Sequence, residues 1–425
     1  MSKVIEQRAK DSNRRDFLKA AGLTATAGAV ASFAPTATHA AVEAIDSTPD
    51  YDVEATAWTP STPSAAVVVL NKMGFGPTPG DIAAFNQLGS TDEERVTNYI
   101  EEQLDPNSIT DTDFINRVVE AGFETLGKTR TQLWAEHRRQ DYTTRRQPVY
   151  ELERVTFLRA VYSKKQFQEF IADFWTNHFN IYAYDNGLDA MIVEMVEGVI
   201  RPNLFGNFKT MLEGSARSTC MLIYLDNYTS TAAGANENYA RELFELHTMG
   251  TENYYGTVAQ DSVPLDDNGL PMGYVDVDVY EASRAFTGWS VSHNTWQGDA
   301  DDGSFLYRND DHDRHQKFVL GQQIPPDQAA EKDGEDVIEL VAYHPGTARY
   351  ICRKLCSRLI SDSPPDDVVL AAADIFYENR FAADQLTKVY RYILSTPEFR
   401  STWGQKVKRP FEVAVSFFRA TNFNM

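Results

Sequence analysis

The sequence has little cysteine and little positive charge. Its 425 residues include only three cysteines, Cys220, Cys352 and Cys356, too few for a disulfide framework or a four-thiolate zinc site. The 61 Asp and Glu residues outnumber the 40 Lys and Arg residues, which gives a formal net charge of −21. Such a charge argues against nonspecific binding to nucleic acid or to anionic lipid, so we expect no nucleic-acid partner.

Several motifs of known chemistry are also missing. The sequence contains no Gly-x-Ser-x-Gly elbow, no phosphate-binding Gly-rich loop, no dinucleotide fingerprint and no His-Glu-x-x-His. Cys-x-x-Cys-His is absent too, which excludes covalent c-type haem. No apolar run after residue 40 approaches 18 residues, so we expect no membrane span in the mature chain.

The N-terminus has the features of an export signal. Arg14-Arg15 precedes a short stretch of small apolar residues over 20–33, and Thr38 and Ala40 supply small residues for cleavage after Ala40. This order resembles a twin-arginine signal over residues 1–40. We therefore expect a periplasmic or secreted protein that uses the twin-arginine translocation machinery. Residues 41–64, rich in Thr, Ser, Pro and Ala, are predicted to be a flexible linker.

The rest of the chain shows helical periodicity. With 42% hydrophobic and 24% charged residues, the whole sequence has the composition of a folded protein. Apolar residues three and four apart predict helices over 81–89, 92–104, 147–162, 166–179, 190–200, 236–249, 277–286, 346–360, 366–377, 383–394 and 411–420. The interval 288–324 alternates instead and predicts a hairpin. We expect a mainly α fold: a single large helical domain over 65–425 with a small β-hairpin insertion.

Charged and amide residues are densest over 236–250. Glu237, Arg241 and Glu245 are four residues apart, and Glu242 lies on the same side of an ideal helix. One interpretation is a catalytic carboxylate cluster, with Arg241, Glu242 and Glu245 as the candidate catalytic residues. The other is a solvated ladder of ion pairs that only stabilises the helix.

Two histidines are predicted to point into the interior. His178 follows the apolar stripe of its helix, and His247 does the same on the 236–250 helix. Together with His312, from a polar loop in the insertion, they are candidate ligands for a divalent metal such as zinc, iron or copper. Asn236 and Asn238 would orient the ligands together with Arg241. The alternative is that the two inward histidines are hydrogen-bonded core residues and the Glu–Arg pairs are structural.

Seven segments together resemble the bacterial family called domain of unknown function 1800. They are residues 70–78, 175–179, 236–250, 284–289, 312–313, Lys317 with Leu320 and Gly321, and 344–355. The resemblance implies an exported helical protein, often made beside a second exported protein related to sulfatases and alkaline phosphatases. The family has no established activity, so it implies no catalytic residues. Its members usually continue past the point where this sequence stops, so either the protein ends there or it is a C-terminally shortened member.

Two functions remain open on the sequence alone. The first is an enzyme, a metal-dependent hydrolase or oxidase that acts outside the cytoplasm; the carboxylate-rich helix and the inward histidines favour it. The second is a non-catalytic exported partner of the sulfatase- or phosphatase-like protein, which the absence of a known catalytic motif favours.

Overall fold

The computed structural model describes residues 62–185 and 187–424. The predicted signal, and the predicted linker up to residue 61, lie outside the described residues. The α-helices are α1 Ala65–Lys72, α2 Asp81–Asn86, α3 Asp92–Leu104, α4 Thr112–Ala121, α5 Arg130–Glu136, α6 Tyr142–Tyr162, α7 Gln166–His178, α8 Phe208–Arg217, α9 Thr219–Tyr224, α10 Glu237–Glu242, α11 Asp276–Ala285, α12 Lys332–Ala342, α13 Pro345–Leu359, α14 Asp366–Glu378, α15 Gln385–Ser395, α16 Pro397–Ser401 and α17 Pro410–Ala420.

Local signals set many helix boundaries. The hydroxyl of Thr91 accepts from the backbone N–H of Glu94, whose carboxylate accepts from the Thr91 N–H in return. This capping box satisfies donors that the first turn of α3 would otherwise leave unpaired. His344 caps α13: its Nδ1 accepts from the Gly346 N–H, and its Nε2 donates to the Pro271 carbonyl. Each cap therefore fixes where its helix begins.

Helix α7 lies at the centre of the hydrophobic core. Phe167, Ile171 and Trp175 recur along one face, and each is fully buried. The indole of Trp175 donates to the hydroxyl of Tyr390 on α15, 2.7 Å away, and that hydroxyl donates to a backbone carbonyl. Since buried polar atoms must be paired, this chain of hydrogen bonds holds α7 in one register against α15.

The insertion contains two hairpins. Strand β1, Trp289–Val291, pairs antiparallel with β2, Phe305–Tyr307, and β3, Lys317–Val319, pairs with β4, Gln322–Ile324. The turn between β3 and β4 has two residues with positive φ, which is the type I′ geometry that suits the twist of a tight hairpin. The predicted mainly α fold with a small β insertion is confirmed, and the second hairpin is an addition to it.

Two predicted α-helices contain wider turns. The segments Glu194–Ile200 and Leu243–His247 form π-helix, in which each hydrogen bond spans five residues. The predicted continuous helix over 236–249 was therefore wrong in its second half. Within the described residues, we find no helix that combines the length and the apolar character needed to cross a bilayer.

Candidate functional site

The two predicted inward histidines meet, and a lysine joins them. His178 is the last residue of α7, and its Nε2 lies 3.0 Å from the backbone carbonyl oxygen of His247. Its Nδ1 lies 2.7 Å from Nζ of Lys354, which is on α13. Three segments that are distant in the sequence, and that carry the family resemblance, thus converge on one imidazole.

The π segment places the carbonyl of His247. The His247 carbonyl lies in the last turn of this helical segment, where carbonyls find partners outside their own helix, and it accepts from His178. The hydroxyl of Thr248 donates to the Leu243 carbonyl at 2.6 Å and closes the wide turn. Gly250 follows with φ of 81° and ψ of 157°, a conformation essentially confined to glycine. A Cβ there would lie 2.4 Å from the ring of Tyr350.

The hydrogen bonds define the protonation state of His178. A carbonyl only accepts, so Nε2 carries the proton, and Nδ1 is left to accept from the Lys354 ammonium. Burial, reinforced by the nearby charge of Lys354, lowers the pKa of His178 well below its usual value. The imidazole is therefore neutral at pH 7.

Lys354 is an unusual lysine. Burial lowers its pKa from 10.5 to about 8. Its ammonium donates to His178 and lies 5.1 Å from the ring centroid of Tyr350, and no carboxylate in the described part of the chain pairs with it. Ionisable groups perturbed by burial beside a specific partner concentrate at functional sites.

His178 and Lys354 line an open cleft with a volume of about 410 Å³. Five of its ten lining residues are Lys or Arg, and one is acidic, which contrasts with the net charge of −21 for the whole chain. The lining residues are Phe174, Asn177, His178, Arg353, Lys354, Ser357, Arg358, Asp362, Lys406 and Arg409. The cleft is therefore a locally basic site on an acidic protein.

Two of the cleft arginines are already tied to carboxylates. Arg358 pairs with Asp173 at 2.9 Å and with Glu412, and Arg409 pairs with the same two carboxylates. Arg358 and Glu412 are almost fully buried, so this four-membered network joins α7, α13 and α17. Because each charge has opposite partners, the network forms a rigid wall of the cleft.

A second, more apolar cavity lies on the other side of the C-terminal part of α7. Its volume is about 450 Å³, and its wall includes Phe157, Phe179 and Met195. The Glu169–Arg201 ion pair closes part of it, with oxygen–nitrogen distances of 2.7 and 2.8 Å. Since both charges are paired, this cavity presents mainly apolar surface.

Two of the predicted catalytic residues, Arg241 and Glu245, lie in an ion-pair cluster along α10 and the π segment. Arg241 donates to Glu237 at 3.2 Å, to Glu245 at 3.4 Å and to Asp276 at 3.2 Å. Glu242 is the half-buried last residue of α10. No residue of this cluster lines the basic cleft.

The remaining predicted positions serve as supports in the structure. His312 contacts a different set of residues from His178: its Nδ1 lies 2.8 Å from the Thr287 carbonyl, and its Nε2 lies 3.2 Å from Asp333. Burial opposes the charge on Asp333, but hydrogen bonds from His312 and Lys317 hold its pKa below the usual value. Asn236 caps α10 by accepting from the N–H of Asn238.

Metal ligation by the three histidines stays a prediction. The imidazole centroids of His178 and His247 are 6.3 Å apart, close enough to share a site after a side-chain rotation. Within the described ranges, no three His, Cys, Asp or Glu side chains are grouped so as to hold a metal ion. Binding at Nδ1 of His178 would also require Lys354 to move away.

The sequence did not single out Lys354 as a candidate site residue. The residue stands in a helix with Arg349 and Arg353, where it resembles an ordinary exposed basic face. Only the fold shows that its ammonium turns inward to His178, whose own position depends on α7. The residue spacing within α13 carries no signal of that contact.

The fold and the cleft define a mainly α-helical protein in which a half-buried lysine contacts a buried histidine at the wall of a basic site. The chain belongs to the family described as Protein of unknown function (DUF1800), whose model matches residues 68–425. No curated protein and no solved structure matches the chain.

Proposed function

We propose that this protein is an exported hydrolase that uses Lys354 as its general base, with His178 as the positioning residue. The observation that carries the proposal is the hydrogen bond between the Lys354 ammonium and the neutral His178 at the wall of an open cleft. A base held by a second oriented group is the arrangement that proton-transfer catalysis requires. The lowered pKa of Lys354 supports the same role.

The chemistry follows from the two protonation states of Lys354. The neutral amine accepts a proton from a water molecule while the water oxygen bonds to the electrophilic centre of an ester. The ester bond to the leaving oxygen then breaks, that oxygen takes a proton from solvent in the open cleft, and the ammonium releases the water-derived proton to solvent. His178 keeps its own proton throughout, because its Nε2–H is held by the His247 carbonyl. Its Nδ1 accepts a hydrogen bond from the Lys354 side chain and so orients the lysine.

The test is turnover of a panel of carboxylic, phosphate and sulfate esters by the purified protein. Lys354→Met should lower kcat/KM by about 10²- to 10⁴-fold, the usual contribution of a general base. Lys332→Met is the matched control, because Lys332 is an exposed lysine paired with Asp336 on its own helix. Equal loss in both variants, or none in Lys354→Met, would contradict the assignment.

Export is part of the proposal, and the sequence of residues 1–40 supports it. Replacing Arg14 and Arg15 by lysine should retain the protein in the cytoplasm, because the translocation machinery reads the arginine pair. Export at the wild-type level would refute the twin-arginine assignment and with it the periplasmic or secreted location.

A metal-dependent version is the second candidate, favoured by the proximity of the His178 and His247 rings. Elemental analysis of protein purified from its native host would show stoichiometric zinc, iron or copper, and His247→Ala would abolish it. Stoichiometric co-purification with a sulfatase- or phosphatase-like protein, without turnover of any ester, would instead support the role of a non-catalytic exported partner.

A further inference from the structure

We propose that the basic cleft recognises a tetrahedral oxyanion, the phosphate or sulfate group of an ester, through Arg353, Lys354, Ser357 and Lys406. This inference names the substrate class of the hydrolase site and in that respect rests on the proposed function. The support for this inference is the set of cations in the cleft that remain available to a ligand.

Lys354 is the first available cation. Its ammonium has three donor hydrogens, and the contacts in the described part of the chain use one of them, toward His178. Burying an ammonium without a carboxylate partner is costly. An anion in the cleft would supply the missing counter-charge, and the low local dielectric would strengthen the attraction.

Arg353 and Ser357 extend this set along α13. Arg353 pairs at 3.1 Å with Asp366 and at 3.9 Å with Glu252, whose side chains are 78% and 44% exposed. Such surface pairs are weak and readily exchanged for a ligand. The hydroxyl of Ser357, one helical turn after Arg353, has no hydrogen-bond partner in the described part of the chain. Both side chains line the cleft and offer donors.

Lys406 supplies a donor from a different element. It lies in the segment before α17, and its ammonium is 3.2 Å from the half-exposed carboxylate of Asp362. Arg358 and Arg409 are not counted, because Asp173 and Glu412 already balance them. The available donors therefore come from α13 and from the segment before α17.

This placement favours a tetrahedral anion over a carboxylate. A carboxylate presents two oxygens in one plane, which suits a single arginine fork. A phosphate or sulfate group presents three outward oxygens that reach donors on separate elements at once. Its ester oxygen would point away from them, opposite the water that Lys354 deprotonates. Arg353, Ser357 and Lys406 would hold the other oxygens while Lys354 is neutral and acts as the base.

Binding of inorganic phosphate and inorganic sulfate to the full chain tests the inference without turnover. Calorimetry should show one site for at least one of the two anions, and comparison of the two titrations distinguishes a phosphate site from a sulfate site. Lys354→Met and Arg353→Gln should each weaken binding at least tenfold. Arg400→Gln is the matched control, since Arg400 is an exposed arginine outside the cleft.

Absence of binding by both anions, or binding that neither cleft variant weakens, would overturn the substrate class. Circular dichroism of Arg353→Gln guards against a folding artefact, which is a small risk because this side chain is 43% exposed. The two proposals fail separately. Lys354-dependent hydrolysis of neutral esters without anion binding would keep the hydrolase and reject the oxyanion. Anion binding with turnover unchanged in Lys354→Met would keep the oxyanion site and reject Lys354 as the base of a hydrolase.

Discussion

Removing the proposed base should make the protein more stable. Lowering the pKa of Lys354 from 10.5 to about 8 means that the fold opposes its charged form by roughly 3 kcal/mol. Lys354→Met removes that cost and loses one hydrogen bond to His178, a loss of about 1 kcal/mol. At pH 7 the variant should therefore gain about 2 kcal/mol in free energy of unfolding.

The gain should also depend on pH in a defined direction. Below pH 8 the lysine is protonated in both the folded and the unfolded chain, so the whole cost is present. Between pH 8 and 10.5 the folded protein releases the proton first, the wild type becomes relatively more stable, and the advantage of Lys354→Met should disappear.

Urea unfolding of wild type, Lys354→Met and the control Lys332→Met at pH 7 and at pH 10 measures this difference. The midpoint of the control should change little, because exposed ion pairs contribute at most about 1 kcal/mol. A lower midpoint for Lys354→Met at pH 7 would refute the reasoning, since it would show that the buried ammonium stabilises the fold. A stabilising substitution that abolishes turnover is what a functional site predicts.

Three further substitutions test other parts of the structure. Gly250→Ala should lower the free energy of unfolding in urea by about 3 kcal/mol or more, because the new Cβ would clash with the ring of Tyr350. Gly256→Ala, also at positive φ but facing open space, should cost only about 1–2 kcal/mol. Lys317→Met should cost about 3–5 kcal/mol by leaving the buried Asp333 carboxylate short of its cation, and adding Asp333→Asn should recover part of that loss. Burial lowers the pKa of His344 to about 4, so folding stability should fall as the pH drops from about 6.5 toward 4. His344→Asn keeps a helix-capping side chain that does not titrate, so it should reduce that fall by up to about 3 kcal/mol.

Sequence patterns predicted the helices whose apolar stripes face the core. The predicted helix over 92–104 matches α3 at both ends, since a capping box marks its start and buried residues recur to its end. Helices such as α4 and α8 were missed although each is amphipathic, and α8 begins at a capping asparagine, Asn207, that apolar periodicity does not take into account. The signal peptide and the linker remain predictions.

The candidate site was predicted in part. The inward positions of His178 and His247 followed from helical spacing, and both residues are buried. The π segment could not be read from the sequence, because an ideal wheel assumes 100° per residue throughout. The contact of Lys354 with His178 was missed for a different reason: the two residues are 176 positions apart in the chain, and only the fold brings them together.

The pH dependence of lysine acylation tests the central claim most directly, because it needs no substrate. Wild-type protein is labelled with a trace of acetic anhydride across the pH range, and each lysine is quantified by mass spectrometry. We expect modification of Lys354 to rise with a midpoint near pH 8, and that of the exposed Lys332 to rise at clearly higher pH, since its pKa is raised by the Asp336 carboxylate. A midpoint for Lys354 above pH 10, or no labelling of it at any pH, would contradict a cleft lysine poised by burial and His178 to accept a proton.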